Sequence, residues 1–194
     1  MREGVPTPEN KRRRRLKRRL VAVAGFLLLA TGMAWFFESQ ATTTVILIRH
    51  ADRVAGQEEN PGLSRSGEQR ADELARVLAD IDVVAGVDAI FATQYRRTQE
   101  TAEPLSKRLQ VPVRTAAPDN IEGLIKQILT EYKGKIVLVI THSDAIPKLI
   151  QELHGSKKLP PIEDNEYDNI YIVSIPWFGK VKTLRLRYGR PYVP

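Results

Sequence analysis

The chain has 194 residues, enough for one ordinary domain and too few for a second independent core. Its net charge of +7 belongs to one end: residues 1–19 hold nine Lys/Arg against two glutamates, while the other 175 residues carry 21 basic and 21 acidic side chains. That distribution leaves no charge argument for a nucleic-acid partner, and the absence of cysteine excludes disulfides, thiolate zinc sites, a cysteine nucleophile and a lipoprotein-type anchor.

The run "KRRRRLKRR" (11–19) is followed by "LVAVAGFLLLATGMAWFF" (20–37), which contains no charge. Eighteen residues at about 1.5 Å each make a helix of about 27 Å, close to the roughly 30 Å hydrocarbon core of a bilayer. Trp35, Phe36 and Phe37 supply interfacial rings, and the cations before the segment face only Glu38 after it. Residues 1–19 therefore read as a basic cytoplasmic tail, 20–37 as a single-pass transmembrane anchor, 38–43 as a linker, and 44–194 as a domain on the periplasmic or extracytoplasmic side. A cleaved signal peptide is the alternative, because Ser39-Gln40-Ala41 offers small residues at the cleavage spacing.

"TTTVILI" (42–48) is β-branched and continuously apolar, the pattern of a strand covered on both faces. After a polar loop, Ser64 or Ser66 caps a helix whose stripe is Ala71, Leu74, Ala75, Leu78 and Ile81. "VDAIFAT" (87–93) reads as a second strand, "QYRRTQETAEPLSKRL" (94–109) as a second helix and "VPVRT" (111–115) as a short third strand. "NIEGLIKQILTEY" (120–132) is a third helix, "KIVLVITH" (135–142) a strand and "DAIPKLIQELHG" (144–155) a helix with Pro147 in its first turn. "YDNIYIVSI" and "KVKTLRLRY", separated by "PWFG", form a closing hairpin. The alternation predicts an α/β three-layer sandwich, with a mainly parallel central sheet and helices on both faces, preceded by the transmembrane helix.

Ligands in such sheets sit beyond the carboxyl ends of the strands. Three strand ends stand out: "VILIRH", "IFATQYRR" and "VLVITH" bring two of the chain's three histidines and several arginines to that side. Imidazole is a competent nucleophile toward phosphorus, and guanidinium groups hold phosphoryl oxygens through paired hydrogen bonds. A metal site on His50 and His142 lacks a third ligand of fixed spacing and has arginines beside it that repel a cation. No serine sits in a nucleophile-elbow sequence.

Four motifs in order resemble the histidine phosphatase superfamily, with its phosphoglycerate mutase-like fold. They are "LIRHAD", "LSRSGEQRADELARVL" (63–78), "FATQYRRTQETAEPL" (91–105) and "VLVITHSDAIPKLI" (137–150). "NEYDNIYIV" and "LRLRYG" are similar to a short bacterial branch that resembles phosphohistidine and periplasmic sugar-phosphate phosphatases. The resemblance implies that His50 becomes phosphorylated, that Arg49 and Arg97 clamp the phosphoryl oxygens, and that His142 stabilises the transition state, with no metal and no cofactor.

Arg97 occupies the family position four residues before Thr101-Ala102. Arg96 reads as a surface residue, Arg53 as an added substrate contact or an exposed loop cation, and His154 as a helix-end residue favourable to the dipole. Asp52, Asp119 and Asp144 are the candidate proton donors, with helix capping the competing reading for Asp119 and Asp144. The second histidine motif reads His-Ser-Asp where the family has His-Gly-Gly, and Ala51 replaces the usual glycine of the first. The expected activity is a phosphatase acting on a phosphorylated small molecule, glycan or protein, with a mutase and a non-catalytic phosphate-binding module as alternatives.

Overall fold

The computed structural model describes residues 8–39, 42–56, 59–81 and 86–192. The chain divides into two units, Met1–Gln40 and Ala41–Pro194. In the first, helix α1 (Pro8–Ser39) runs unbroken through the basic run and the apolar segment. Proline suits its first position, and Lys and Arg are good helix formers, so the helix is longer than its apolar part. Residues 12–36 are exposed all round, with no apolar stripe set against a polar face. Within it, Arg12–Phe36 contains an 18-residue stretch with a mean hydropathy of 1.7 and is long and apolar enough to cross a membrane. The first seven residues of the predicted tail, and Gln40-Ala41 of the predicted linker and cleavage site, lie outside the described residues.

The second unit is one six-stranded sheet. Its strands are β1 (Thr43–Arg49), β2 (Ala89–Thr93), β3 (Val113–Ala116), β4 (Ile136–Thr141), β5 (Asn169–Ile175) and β6 (Lys182–Arg187). The spatial order is β3-β2-β4-β1-β5-β6, parallel through β1 and then antiparallel in the β5–β6 hairpin. Its helices are α2 (Arg65–Ala79), α3 (Arg96–Leu109), α4 (Ile121–Glu131) and α5 (Ala145–Glu152).

The continuous apolar run of β1 serves two faces. Val45 and Leu47 join Ile125 and Ile128 of α4 and Ile146, Leu149 and Ile150 of α5 in one core. Ile46 and Ile48 join Leu74 and Leu78 of α2 and Ala102 and Leu105 of α3 in the other. This period-two division is what makes the sandwich three-layered.

Of the two serines, Ser64 caps α2, its hydroxyl accepting the Gly67 N–H. Two capping expectations are corrected. Asn120 caps α4 through the Gly123 N–H, and Asp119 lies one residue earlier, exposed. Asp144 occupies the cap position of α5 but makes no side-chain bond to the helix.

Candidate active site

Strand register builds the site. β1 and β4 are parallel neighbours with Arg49 beside Thr141, and the His50 N–H donates to the Thr141 carbonyl at 3.0 Å. The next residues, His50 and His142, are thereby brought together, their ring centroids 5.5 Å apart at 62°. On the other side of β4, strand β2 ends at Thr93, whose hydroxyl lies 3.1 Å from His142 Nε2. Arg97 stands in the first turn of α3, four residues on, with Nη2 at 3.5 Å from His142 Nδ1.

Hydrogen-bond partners fix both tautomers. His50 Nδ1 lies 2.8 Å from the Ala51 carbonyl, which only accepts, so Nδ1 carries the proton and Nε2 the lone pair. Arg97 only donates, so His142 Nδ1 is bare and its Nε2–H donates to Thr93; the Thr93 hydroxyl continues to Thr98 at 2.9 Å, and Thr98 to backbone carbonyls. Burial pushes His50 down to about 3, and Arg49, Arg97 and His142 act in the same direction. Burial, then Arg97 and Arg49, push His142 down to about 4, with Asp144 opposing. Both imidazoles are neutral at pH 7.

The guanidinium groups are held from behind. Arg49 is 8% exposed; its Nη1 donates to the carbonyls of Glu163 (2.7 Å) and Glu166 (3.2 Å), and the Tyr167 ring lies 4.3 Å from its Cζ. Arg97 stacks on Tyr95 at 4.5 Å. The Nε–H groups of both arginines are buried without a partner among the described residues, a costly state that an anion relieves. Burial lowers both arginine pKa values, and the charge of Arg53 lowers them further, so this exposed cation acts on the same space.

Residues 45–119 match the sequence model of the histidine phosphatase superfamily (branch 1). The fold is similar to that of the protein histidine phosphatase SixA complexed with tungstate, with a TM-score of 0.60 and 20% identity over 74% of this chain and 96% of that one. It is also similar to a mycobacterial glucosyl-3-phosphoglycerate phosphatase (0.57, 15%, 76% and 98%) and to phosphoglycerate mutase from Plasmodium falciparum (0.56, 20%, 79% and 95%). The fold is therefore that of these phosphatases and mutases, and the match to the superfamily's sequence model covers its first part, residues 45–119. No curated protein matches the chain in sequence.

The structure brings Arg49, His50, Arg97 and His142 to one place and leaves the three candidate proton donors outside it. Asp52 accepts from Arg70 Nε at 2.6 Å. Asp119 is exposed beside Asn120, and Asp144, 74% exposed, lies 3.9 Å from Lys148. Among the described residues no three acidic or histidine side chains converge to hold a metal ion. Arg96 is ion-paired with Glu100 at 2.6 Å, and His154 is exposed just past the end of α5, with φ +58°.

Sequence reasoning missed the loop 163–168 and both tyrosines. Tyr167 lies 5.8 Å from the His50 ring and Tyr95 5.0 Å from that of His142, centroid to centroid. Glu166 and Asp168 are buried and held by Arg187 of β6, bidentate on Asp168 at 2.7 and 2.9 Å and at 3.0 Å from Glu166. Burial would raise Asp168, but the Tyr192 N–H and Arg187 keep it below its ordinary value. This network shapes the loop whose carbonyls hold Arg49.

Gly67 sets the other wall. Ser64 N–H donates to the Asp52 carbonyl at 2.9 Å, and a Cβ on Gly67 would stand 2.0 Å from that oxygen, so only glycine lets α2 press against the segment after His50. Ala51 in that segment is anchored by its N–H to Thr101 Oγ1 at 2.9 Å.

Proposed function

We propose that the domain is a phosphatase that transfers a phosphoryl group to His50 and then to water, without metal, on the extracytoplasmic side of the membrane. The observation that carries this reading is the pair of buried, unpartnered arginine Nε–H groups beside a neutral imidazole whose lone pair is on Nε2. Arg49 and Arg97 hold the phosphoryl oxygens, and Arg53 adds positive potential at the rim.

In the first step Nε2 attacks phosphorus, the N–P bond forms, and the bond from phosphorus to the leaving oxygen or nitrogen breaks with its electrons on the leaving group. In the second, water attacks phosphorus, the N–P bond breaks, and its electrons return to Nε2 as phosphate departs. Burial and the two arginines depress His142; a bound dianion offsets the arginine part and favours a proton on Nδ1, which then donates to a phosphoryl oxygen.

Of the three candidate acids, Asp144 is the one whose charge acts on His142, while Asp52 is committed to Arg70. Leaving groups that need little protonation, such as phosphoramidates and aryl phosphates, therefore suit the site better than alkyl phosphates.

Brief exposure to p-nitrophenyl phosphate in chelator should leave acid-labile phosphate on His50, absent in His50→Ala. Full chelator-resistant hydrolysis by His50→Ala overturns the mechanism. A reporter active only outside the cytoplasm, fused at residue 194, should be active; activity of a cytoplasm-only reporter there reverses the orientation.

A further inference from the structure

The turn of the β5–β6 hairpin exposes two large aromatic side chains, Trp177 (55%) and Phe178 (86%). The backbone turns at Gly179, φ +114°, and exposed Lys180 and Lys182 follow. Lys157 and Lys158 join the same end of the sheet, because the Ser156 N–H donates to Thr183 of β6 at 3.0 Å. Among the described residues, this end of the sheet also carries Lys133, Lys135 paired with Asp88 at 3.3 Å, Lys107 and Arg108 at the end of α3, Asp80 at the end of α2, Glu131 bonded by Gln127 and Glu152 at the end of α5, so basic groups outnumber acidic ones there. Aromatic rings ringed by lysines are the composition that favours the interface of an anionic bilayer.

Register shows which end of the domain this is. Thr43, the first residue of β1, pairs with Ile175, the last of β5, so the aromatic turn projects beyond the start of β1. Thr43 is also where the chain enters the sheet, four residues after the end of α1. His50 leaves the opposite end of β1, seven residues or roughly 23 Å away.

We infer that the hairpin turn is a second membrane contact, with Trp177 and Phe178 entering the boundary between headgroups and acyl chains and the four lysines lying against anionic headgroups. The inference rests on the anchor reading of residues 20–37. It turns the His50–His142 site away from the bilayer, so its substrate is a phosphate carried in water rather than a headgroup of the anchoring membrane.

Trp35→Phe leaves Trp177 as the sole tryptophan of the full chain. After reconstitution into phosphatidylcholine vesicles with phosphatidylglycerol, Trp177 emission should be blue-shifted, quenched by nitroxides at headgroup depth and shielded several-fold from acrylamide. The shielding should weaken without phosphatidylglycerol, and each of Lys180→Gln and Lys182→Gln should lower apparent partition about fivefold. Turnover of a water-soluble aryl phosphate should be unchanged in Trp177→Ser/Phe178→Ser.

If the chain floats with the vesicles while Trp177 stays open to acrylamide, the contact is overturned and the anchor stands. If the chain does not float after alkaline extraction, the anchor reading fails; peripheral binding that Trp177→Ser/Phe178→Ser abolishes then still supports the contact, and no binding overturns it.

Discussion

The depressed imidazoles make acid stability a measurable property of the site. A histidine in the unfolded chain titrates near 6.5, whereas in the folded protein His50 and His142 sit at about 3 and about 4. Because both values are lowered, the unfolded chain takes up protons that the folded one refuses. The stability tied to this pair is complete above about pH 6.5 and is lost as pH falls toward the folded values. By pH 5 each histidine has cost about 2 kcal/mol, about 4 kcal/mol together, a large share of an ordinary domain's 5–15 kcal/mol.

Urea unfolding of residues 41–194 between about pH 7.5 and pH 5 measures this directly, with His50→Asn/His142→Asn as the comparison that keeps every carboxylate. The parent should lose about 4 kcal/mol more than the double variant over this range. Inorganic phosphate should reduce the loss, since an anion in the site favours protonated His142. Equal pH slopes in parent and double variant would refute the assignment of two buried neutral imidazoles.

Arg97→Ala should lower kcat/KM on an aryl phosphate by about 10²–10³ while Arg96→Ala stays near the parent; equal losses would mean that Arg97 is not the clamp. Thr93→Val removes the acceptor for His142 Nε2–H and should lower kcat about tenfold with KM little changed, with Thr93→Ser restoring it; a normal kcat would show that the tautomer is set otherwise. Gly67→Ala drives a methyl group into the Asp52 carbonyl and should cost about 2 kcal/mol, read as a fall in urea midpoint; an unchanged midpoint would contradict the close approach. Arg187→Ala leaves Glu166 and Asp168 buried without their cation and should cost about 3–5 kcal/mol and raise KM through the released Arg49, with Arg187→Lys intermediate; unaltered KM in a folded variant would separate the network from the site.

Much of the fold was written in short-range pattern. "VILI", "IFAT" and "VLVI" name buried strands because residues on both faces are apolar, and the stripe Leu74, Ala75, Leu78 names α2 because its spacing matches the helical turn. Cap choice was less legible, since Asp119 and Asn120 are adjacent and equally suited, and only the chain path gives the Gly123 N–H to Asn120. The four residues that meet in the site were visible as arginines and histidines at strand ends. Their closeness was not, because it depends on the long-range register that sets Arg49 beside Thr141. The loop 163–168 was illegible for another reason: "EDNEYD" reads as solvated, yet Glu166 and Asp168 are buried because Arg187 returns on an antiparallel strand to neutralise them.

That loop also explains why arginine and histidine stand side by side. Arg49 is buried at the end of a central strand, where a cation is tolerated only if its charge is answered. Glu163 and Glu166 hold it with carbonyl oxygens and Tyr167 with a ring face, and the charges of Asp164 and Glu166 offset part of its own, while among the described residues no carboxylate is ion-paired with it. Arg97 is treated alike, with a tyrosine ring and a bare imidazole nitrogen as its neighbours. A carboxylate paired with either arginine would weaken the positive field that adds to burial in keeping His50 and His142 unprotonated. The site is therefore built with its positive charge positioned and only partly offset, and the anion that completes it also counters the arginine repulsion that, together with burial, kept His142 from accepting a proton.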